Sequence, residues 1–248
     1  MRIIDATWEK RNLGVIAKEI NIDIKDTATG LEQIRGLDFE YSVVRVPVGC
    51  VEIMCKLEDM GYHYIETLLD IQHNHKNISF PINNVAMRIM DSITYAEMSE
   101  VELTELWNQI KLGVFETDRV SLDPAFSQES SANRFICWIG DEITRGGKVY
   151  KCVLNKRIFG FFVNRIDTQR VNYVCNLGIY KEYENAGLGM CLIASSIRQA
   201  IEVGARKSIS AVSTNNISAI KANLAAGYQI TSARYIYTMH KEESPSCC

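Results

Sequence analysis

Apolar residues recur along this chain with two periods, and the places where one period gives way to the other mark its expected elements. In "VIAKEINIDI", Ile20, Ile22 and Ile24 alternate with polar neighbours, the spacing of a strand. A short helical piece is expected near Leu31, and "FEYSVVRV" is a β-branched run that reads as another strand. "GCVEIMCKLEDMG" moves to helical spacing through Val51, Met54 and Leu57, with Gly61 placed as its stop. "YHYIETLLDI" returns to strand. The polar, Asn-rich "QHNHKNISFPINN" beyond it reads as a linker with His73 and His75 in solvent, and as the boundary of a small α/β unit.

The second part opens on "VAMRIMDSI", which reads as a strand, and continues with a helix around "MSEVELTELWNQIKLG". "FETDRVSLDPAFSQESSANRFICWIGDEI" reads as a loop and then a helix carrying Ala132, Phe135 and Ile139 at spacings of three and four. "VYKCVL" and "RIFGFFVNRI", joined at Asn155 and Lys156, form a hairpin. In "VNYVCNLGI", Val171, Tyr173, Cys175, Leu177 and Ile179 share one face of a strand. From Leu188 the period is helical again through Met190, Ile193, Ile197 and Ile201, and Gly204 closes the helix. "KSISAV" is a strand, "SAIKANLAAG" a helix with Ile220 and Leu224 on one side and Gly227 at its end, and "ARYIYTM" the last strand. The expected division is an N-terminal α/β domain over 1–80, a second domain over 85–241, and a tail over 242–248.

Composition narrows the class. With 248 residues, 47% hydrophobic and 23% charged, the chain can bury a sizeable core. A formal charge of -3 gives no reason to expect a nucleic-acid or membrane-surface partner, so any anion site must be local. "MRIIDATWEKRN" lacks the apolar segment of a signal peptide, and the longest tight apolar run, Ile158 to Val163, is too short to cross a bilayer; a cytoplasmic protein is expected. The eight cysteines are scattered and several fall in apolar patterns, as reduced thiols do, and Cys247 and Cys248 read as a frayed tail. His73 and His75 have no Cys, Asp or Glu at ligand spacing, so no metal is expected.

The candidate chemistry lies where the last long helix begins. Glycine inside a helix costs about 1 kcal/mol relative to alanine, yet Gly187 and Gly189 stand at its entrance. A helix start carries unpaired N–H groups and roughly half a positive charge, and glycines before it let a phosphate touch bare main chain. On this reading Ala186, Gly187, Leu188 and Gly189 form an anion loop; the resemblance described next extends the window to Glu184 and Asn185.

With "ENAGLG" between a strand and a helix, and "NISAIKANLAAGY" from Asn216 to Tyr228, the sequence resembles the GCN5-related N-acetyltransferases over about residues 86–240. The first motif matches the family's pyrophosphate loop, [Q/R]-x-x-G-x-[G/A], and the second its N-x-x-A helix followed by G-[FY]. With "TWEKRNLGV", "LEDMGYHYIET" and the "FETDRVSLDP" stretch included, the chain looks most like the two-domain bacterial enzymes that acetylate the 4-amino group of a TDP-linked 4-amino-4,6-dideoxy sugar. The resemblance implies a mixed, mostly antiparallel sheet flanked by helices, preceded by a small N-terminal α/β domain. It implies acetyl-coenzyme A as co-substrate and direct transfer to a primary amine.

Carried over by position, Leu177, Gly178 and Ile179 would pair with the pantetheine arm from a strand that splays from its neighbour. Asn216, Ala219 and Asn223 would line the cofactor from the following helix. Two positions depart from the family pattern: Glu184 stands where Gln or Arg is usual, and would repel a pyrophosphate unless it paired with a cation such as Lys181. Asn223 stands where many relatives carry a tyrosine that protonates the leaving thiolate; an amide donates only a hydrogen bond, leaving Tyr235 and Tyr228 as stand-ins for the acid. Asp118, Asp167 and His240 are the candidate bases, and Arg119 is the candidate grip on a sugar-nucleotide diphosphate. The partner is then a small-molecule amine or nucleotide sugar, with monomer and homodimer both open. Two rivals stand beside this reading: an acetyltransferase for a peptide N-terminus, lysine or polyamine, which would need a carboxylate-rich groove, and a non-catalytic acyl-coenzyme A sensor.

Overall fold

One tight turn is set by two residues. Asn155 and Lys156 both take positive φ, 50° and 64°, so the two-residue connection between β6 (Lys148–Leu154) and β7 (Arg157–Ile166) follows the natural twist of the strands. The structure, a computed structural model, describes residues 1–76 and 84–241.

Eight further strands join this hairpin: β1 (Arg2–Asp5), β2 (Ala17–Asn21), β3 (Tyr41–Pro47), β4 (His63–Asn74), β5 (Thr94–Glu97), β8 (Val171–Ile179), β9 (Lys207–Ser213) and β10 (Gln229–His240). All lie in one sheet, in the order β1-β2-β3-β10-β4-β9-β8-β7-β6-β5. Among the described residues only β2–β3 and β8–β9 pair in parallel. The last strand enters between β3 and β4, with Tyr235 opposite Val46 on one side and Thr67 on the other. Strands from the first 74 residues and from the C-terminal half therefore share one hydrogen-bonded ladder.

Helices cover both faces. On one face lie α1 (Thr7–Leu13), α5 (Glu100–Lys111), the short α6 (Arg119–Leu122) and α7 (Gln128–Thr144). Here Leu106, Ile110, Phe135 and Ile139 pack on Phe161 and Val163, as the spacing of Ala132, Phe135 and Ile139 predicts. α1 is tied across to α7 by a two-bond fork from Arg11 to Asp141, at 2.9 and 2.7 Å. On the other face lie α3 (Val51–Asp59), α8 (Gly189–Glu202) and α9 (Ile217–Ala225), over Val44, Val46 and Tyr237 at one end and Ile71 and Val212 at the other. A short α2 (Glu32–Arg35) adds Ile34 to this core. Among the described residues no helix is long and apolar enough to cross a membrane, and Cys50, Cys55, Cys137, Cys152, Cys175 and Cys191 are free thiols.

Three sequence expectations are corrected. "VAMRIMDSI" is not a strand but belongs to α4 (Asn84–Ser92), because Met90 and Ile93, three apart, are the residues that bury against Phe159 and Phe162. In β8 the alternation breaks: a bulge opposite Val163 and Asn164 leaves Cys175 the extra residue. Cys175 packs with the α7 cluster, whereas Leu177 and Ile179 pack toward α8. His73 and His75 do not lie in a solvated linker, since β4 runs through to Asn74 between β10 and β9. His73 is buried, 5.4 Å from the Tyr228 ring, and His75 bonds the Ala205 carbonyl and the Ser208 hydroxyl, both at 3.0 Å. The part of that stretch over 77–83, like Cys247 and Cys248, lies outside the described residues.

Burial lowers the pKa of both histidines below 6.5, and for His73 the neighbouring His75 adds to it. Below pH 6.5 the unfolded chain takes up protons that the folded chain refuses, so stability falls as pH falls through that window. Urea unfolding at pH 7.5 and 5.5 should show this loss in the wild type and a smaller one in His73→Phe.

Candidate functional site

Two neighbouring strands part company in the middle of the sheet. β8 and β9 pair only from Val171–Lys207 to Tyr173–Ile209 and then diverge, while β8 stays bonded to β7 as far as the Ile179–Gly160 pair. The Tyr180 amide donates to the Phe159 carbonyl at 2.9 Å, and the register makes Gly178 and Phe161 the next mutually bonded pair. The N–H and C=O groups of Leu177 and Ile179 therefore face the gap, where β9 no longer reaches them.

Gly178 has a different task from the one expected. Its main chain is committed to β7, and a Cβ there would stand 2.4 Å from Val114 Cγ1. The missing side chain admits the 113–118 segment against the sheet.

A cavity of about 270 Å³ occupies the gap, lined by residues from both faces of the sheet. Toward α8 and α9 its wall is Leu177, Ser210, Val212, Ala219 and Asn223; toward α6 and α7 it is Glu66, Asn176, Asp118, Arg119, Arg134 and Trp138. Asn216 caps α9, accepting from the Ala219 amide at 2.9 Å, and Asn223 is buried with its amide donating to the Ala219 carbonyl at 2.9 Å.

Beyond Ile179 the chain turns into the glycine loop. Asn185 and Gly187 take positive φ, 62° and 74°, and nothing stands within 4 Å of where a Gly187 Cβ would be. Among the described residues, the amides of Asn185, Gly187, Leu188, Gly189 and Met190 find no protein acceptor. Leu188 anchors the loop in the α8 core, and a Gly189 Cβ would lie 3.5 Å from Ala222 on α9. Glu184 bonds Lys181 at 3.2 Å, the pairing its charge demands, and Lys181 also holds Glu116 at 3.1 Å.

The opposite mouth is built from buried charge. Glu9 Oε1 accepts from Arg119 Nη2 at 3.0 Å and from Arg134 Nε at 3.2 Å. Arg119 Nη2 also reaches Glu19 at 3.2 Å, and Arg45 holds Glu19 with two bonds, 2.9 and 3.0 Å. Burial alone would raise the Glu19 carboxyl, but the guanidiniums of Arg45, Arg119 and Arg134 hold it at about 2. Asp118 caps α6 through Ser121 and pairs with Arg134 at 3.1 Å. The bidentate grip expected of Arg119 is thus not free, because one of its two terminal nitrogens is spent on Glu9 and Glu19.

Other sequence candidates lie elsewhere. Tyr235 packs in the α3-side core, on the opposite face of β10 from Ile236, which does line the cavity. Tyr228 is buried beside His73. Asp167 shapes a turn through the amides of Gln169 and Val171. His240 bonds Asp123 at 2.9 Å and packs on Tyr41.

Sequence reading passed over Glu66, a carboxyl on β4 that lines the cavity, is 4% exposed and has one oxygen, Oε2, without a partner. Burial, and secondarily the charge of Asp118, raises its pKa. The available signal was an acid inside an apolar strand pattern, "YIETLLDI".

No protein-family model and no curated protein sequence matches the chain. Solved structures do. A GCN5-related N-acetyltransferase from Kribbella flavida superposes with TM-score 0.56 at 15% identity, covering 90% of this chain and 80% of that one. One from Sphaerobacter thermophilus gives 0.55 at 11%, covering 81% of this chain, which spans only 59% of that protein's length. A conserved protein of unknown function from Staphylococcus epidermidis gives 0.60 at 11%, covering 91% and 84%. At such identities the likeness is one of fold: the chain has the fold of the GCN5-related N-acetyltransferases.

Proposed function

We propose that the protein is an acyl-coenzyme A-dependent N-acetyltransferase that moves an acetyl group directly to a primary amine. The observation that carries this reading is the cavity in the β8–β9 gap, lined by Leu177, Ala219 and Asn223 on the α8–α9 side and by charged side chains on the other. The cofactor fits the residues present: the free amides from Asn185 to Met190 suit a pyrophosphate lying on the open space above Gly187. Leu177 and Ile179 offer main-chain groups to an extended arm, and Asn223 lies further along the wall. Acetyl-coenzyme A, when bound, supplies the activated thioester.

Glu66 is the proton acceptor in this reading. An ammonium must lose a proton before it attacks, and a buried carboxyl with a raised pKa is suited to take it. The neutral amine nitrogen then bonds the acetyl carbon, a main-chain N–H facing the gap steadies the developing oxyanion, the C–S bond breaks, and the nitrogen gives up its second proton to water. Neither Tyr228 nor Tyr235 reaches the cavity, so no tyrosine protonates the sulfur; a thiol with a pKa near about 8.5 leaves largely as thiolate, aided by the Asn223 amide.

For the acceptor, the 4-amino group of a nucleotide-linked dideoxy sugar remains the preferred reading. The cavity wall carries Arg45, Arg119 and Arg134 with Phe135 and Trp138, beside the two carboxyls of Glu66 and Asp118, which is fewer than the carboxylate-rich groove a polyamine would need. The pairing of Glu184 with Lys181 removes one motive for a non-catalytic sensor.

A coenzyme-release assay over TDP- and UDP-amino sugars, amino-terminal peptides and polyamines tests the reading. Alongside it, Gly187→Trp should raise KM for acetyl-coenzyme A about tenfold or more, while the positive φ costs about 1–2 kcal/mol of stability. Donor KM unchanged in that variant would remove the loop from the site.

A further inference from the structure

Between α3 and α9 a strip of the sheet is bare: Tyr64, Ile230 and Ala233 are all exposed among the described residues. Residues opposite each other in a ladder share a face. Tyr235 lies opposite Val46, Ala233 opposite Leu69 and Ile230 opposite Ile71, and Val46 and Ile71 belong to the α3 and α8–α9 cores. The strip therefore runs along the face that α3 and α9 flank. Tyr64 joins it, with its ring 6.2 Å from that of Tyr235 and its hydroxyl 2.8 Å from Thr67 Oγ1.

Both helices turn apolar flanks toward this strip. On α9, Ala222 meets α8 at Gly189, and Ile217, Ile220 and Leu224 follow at spacings of three and four on the flank away from α8. On α3, Lys56 pairs with Glu32 of α2 at 2.9 Å, while Val51, Met54 and Glu58 lie on the other flank, where Glu58 accepts from the Tyr237 hydroxyl at 3.1 Å. Val48, whose amide donates to the Ala233 carbonyl at 3.3 Å, completes the rim. Val48, Val51, Tyr64, Ile217, Leu224 and Ile230 are each 46% to 61% exposed. At roughly 100 Å² open on each, they leave about 600 Å² of apolar surface, the top of the range for the largest patch on a monomer.

We propose that this strip is the interface between two copies of the chain, packed face to face across a two-fold axis parallel to the strands. The inference stands apart from the acetyl-transfer reading. Area favours a second copy, because covering the patch on both removes about 1,200 Å² from water, where specific interfaces begin. Charge favours it as well. The one charged residue of α9 is Lys221, whereas α3 carries Glu52, Glu58 and Asp59, and among the described residues none of these four is in an ion pair. An axis parallel to the strands sets each α9 against the α3 of the other copy, so that both contacts bring Lys221 to carboxylates. An axis across the strands would set Lys221 against Lys221. Charge thus selects the orientation.

Sedimentation velocity of the full chain from about 1 to about 100 μM should show a monomer–dimer equilibrium. Leu224→Glu and Lys221→Glu should each raise the dimer Kd about tenfold or more. Combining Lys221→Glu with Glu52→Lys and Asp59→Lys reverses both sides of the contact and should return Kd to within about threefold of the wild type. In a mixture of isotopically light and heavy chains, carbodiimide should join Lys221 of one chain to an α3 carboxylate of another, which decides the matter if a variant fails to fold. A chain that stays monomeric through about 100 μM overturns the proposal and leaves the strip to another occupant. A dimer indifferent to Leu224→Glu, no recovery in the charge-reversed variant, or cross-links confined within single chains overturns it too.

Discussion

Glu66→Gln should lower kcat by about a hundredfold or more, the usual yield of a positioned base, with donor KM little changed. The substitution keeps the shape and replaces a buried acid with an amide. A folded-state pKa raised by burial means the carboxyl contributes stability below its unfolded value of 4.5 and that this is lost as pH rises through the folded value. At neutral pH the variant should therefore be as stable as the wild type or more so, which separates loss of catalysis from loss of fold. The pH profile gives a second handle. In the wild type kcat/KM should rise along a limb lying above the ordinary carboxylate range, and the limb should vanish in Glu66→Gln. A variant with unimpaired kcat, or with the same limb, would assign the proton to another group.

The second large effect is on stability. Glu9 is 1% exposed and its Oε1 serves both Arg119 and Arg134. Removing one partner of a buried ion cluster leaves uncompensated charge, so Glu9→Gln should cost about 3–5 kcal/mol in urea unfolding. The loss does not reflect the pair's net worth. Replacing Arg134 as well, as in Glu9→Gln with Arg134→Met, should recover part of it, because the double variant buries fewer unpaired charges. A single-variant loss below about 1 kcal/mol would mean that water already reaches the cluster. Because Glu9 lies on α1 and Arg119 and Arg134 on α6 and α7, the same cluster fastens the N-terminal helix to α6 and α7.

Legibility followed locality. The Asn155–Lys156 hairpin, the helix closed by Gly204 and the helix over "SAIKANLAAG" depend on neighbouring residues alone, and each was readable from the chain. The strand–glycine–helix junction was readable for the same reason, since its chemistry is carried by main chain and by absent side chains. "VAMRIMDSI" misled because a short apolar run suits either period until its packing partner is known. His73 and His75 misled because polar composition says nothing of which strands close over them.

The sequence by itself determined the α/β class, most element positions and the glycine turn before α8, because short-range spacing and glycine stereochemistry dictate those. Only the tertiary structure decided that β10 enters between β3 and β4, that β8 parts from β9 after Tyr173, and that Glu66 stands at the same cavity as Asn223. Those juxtapositions join residues far apart in the sequence, as Glu66 and Asn223 are. They arise from sheet order and from the burial of charge in pairs, which no local pattern encodes.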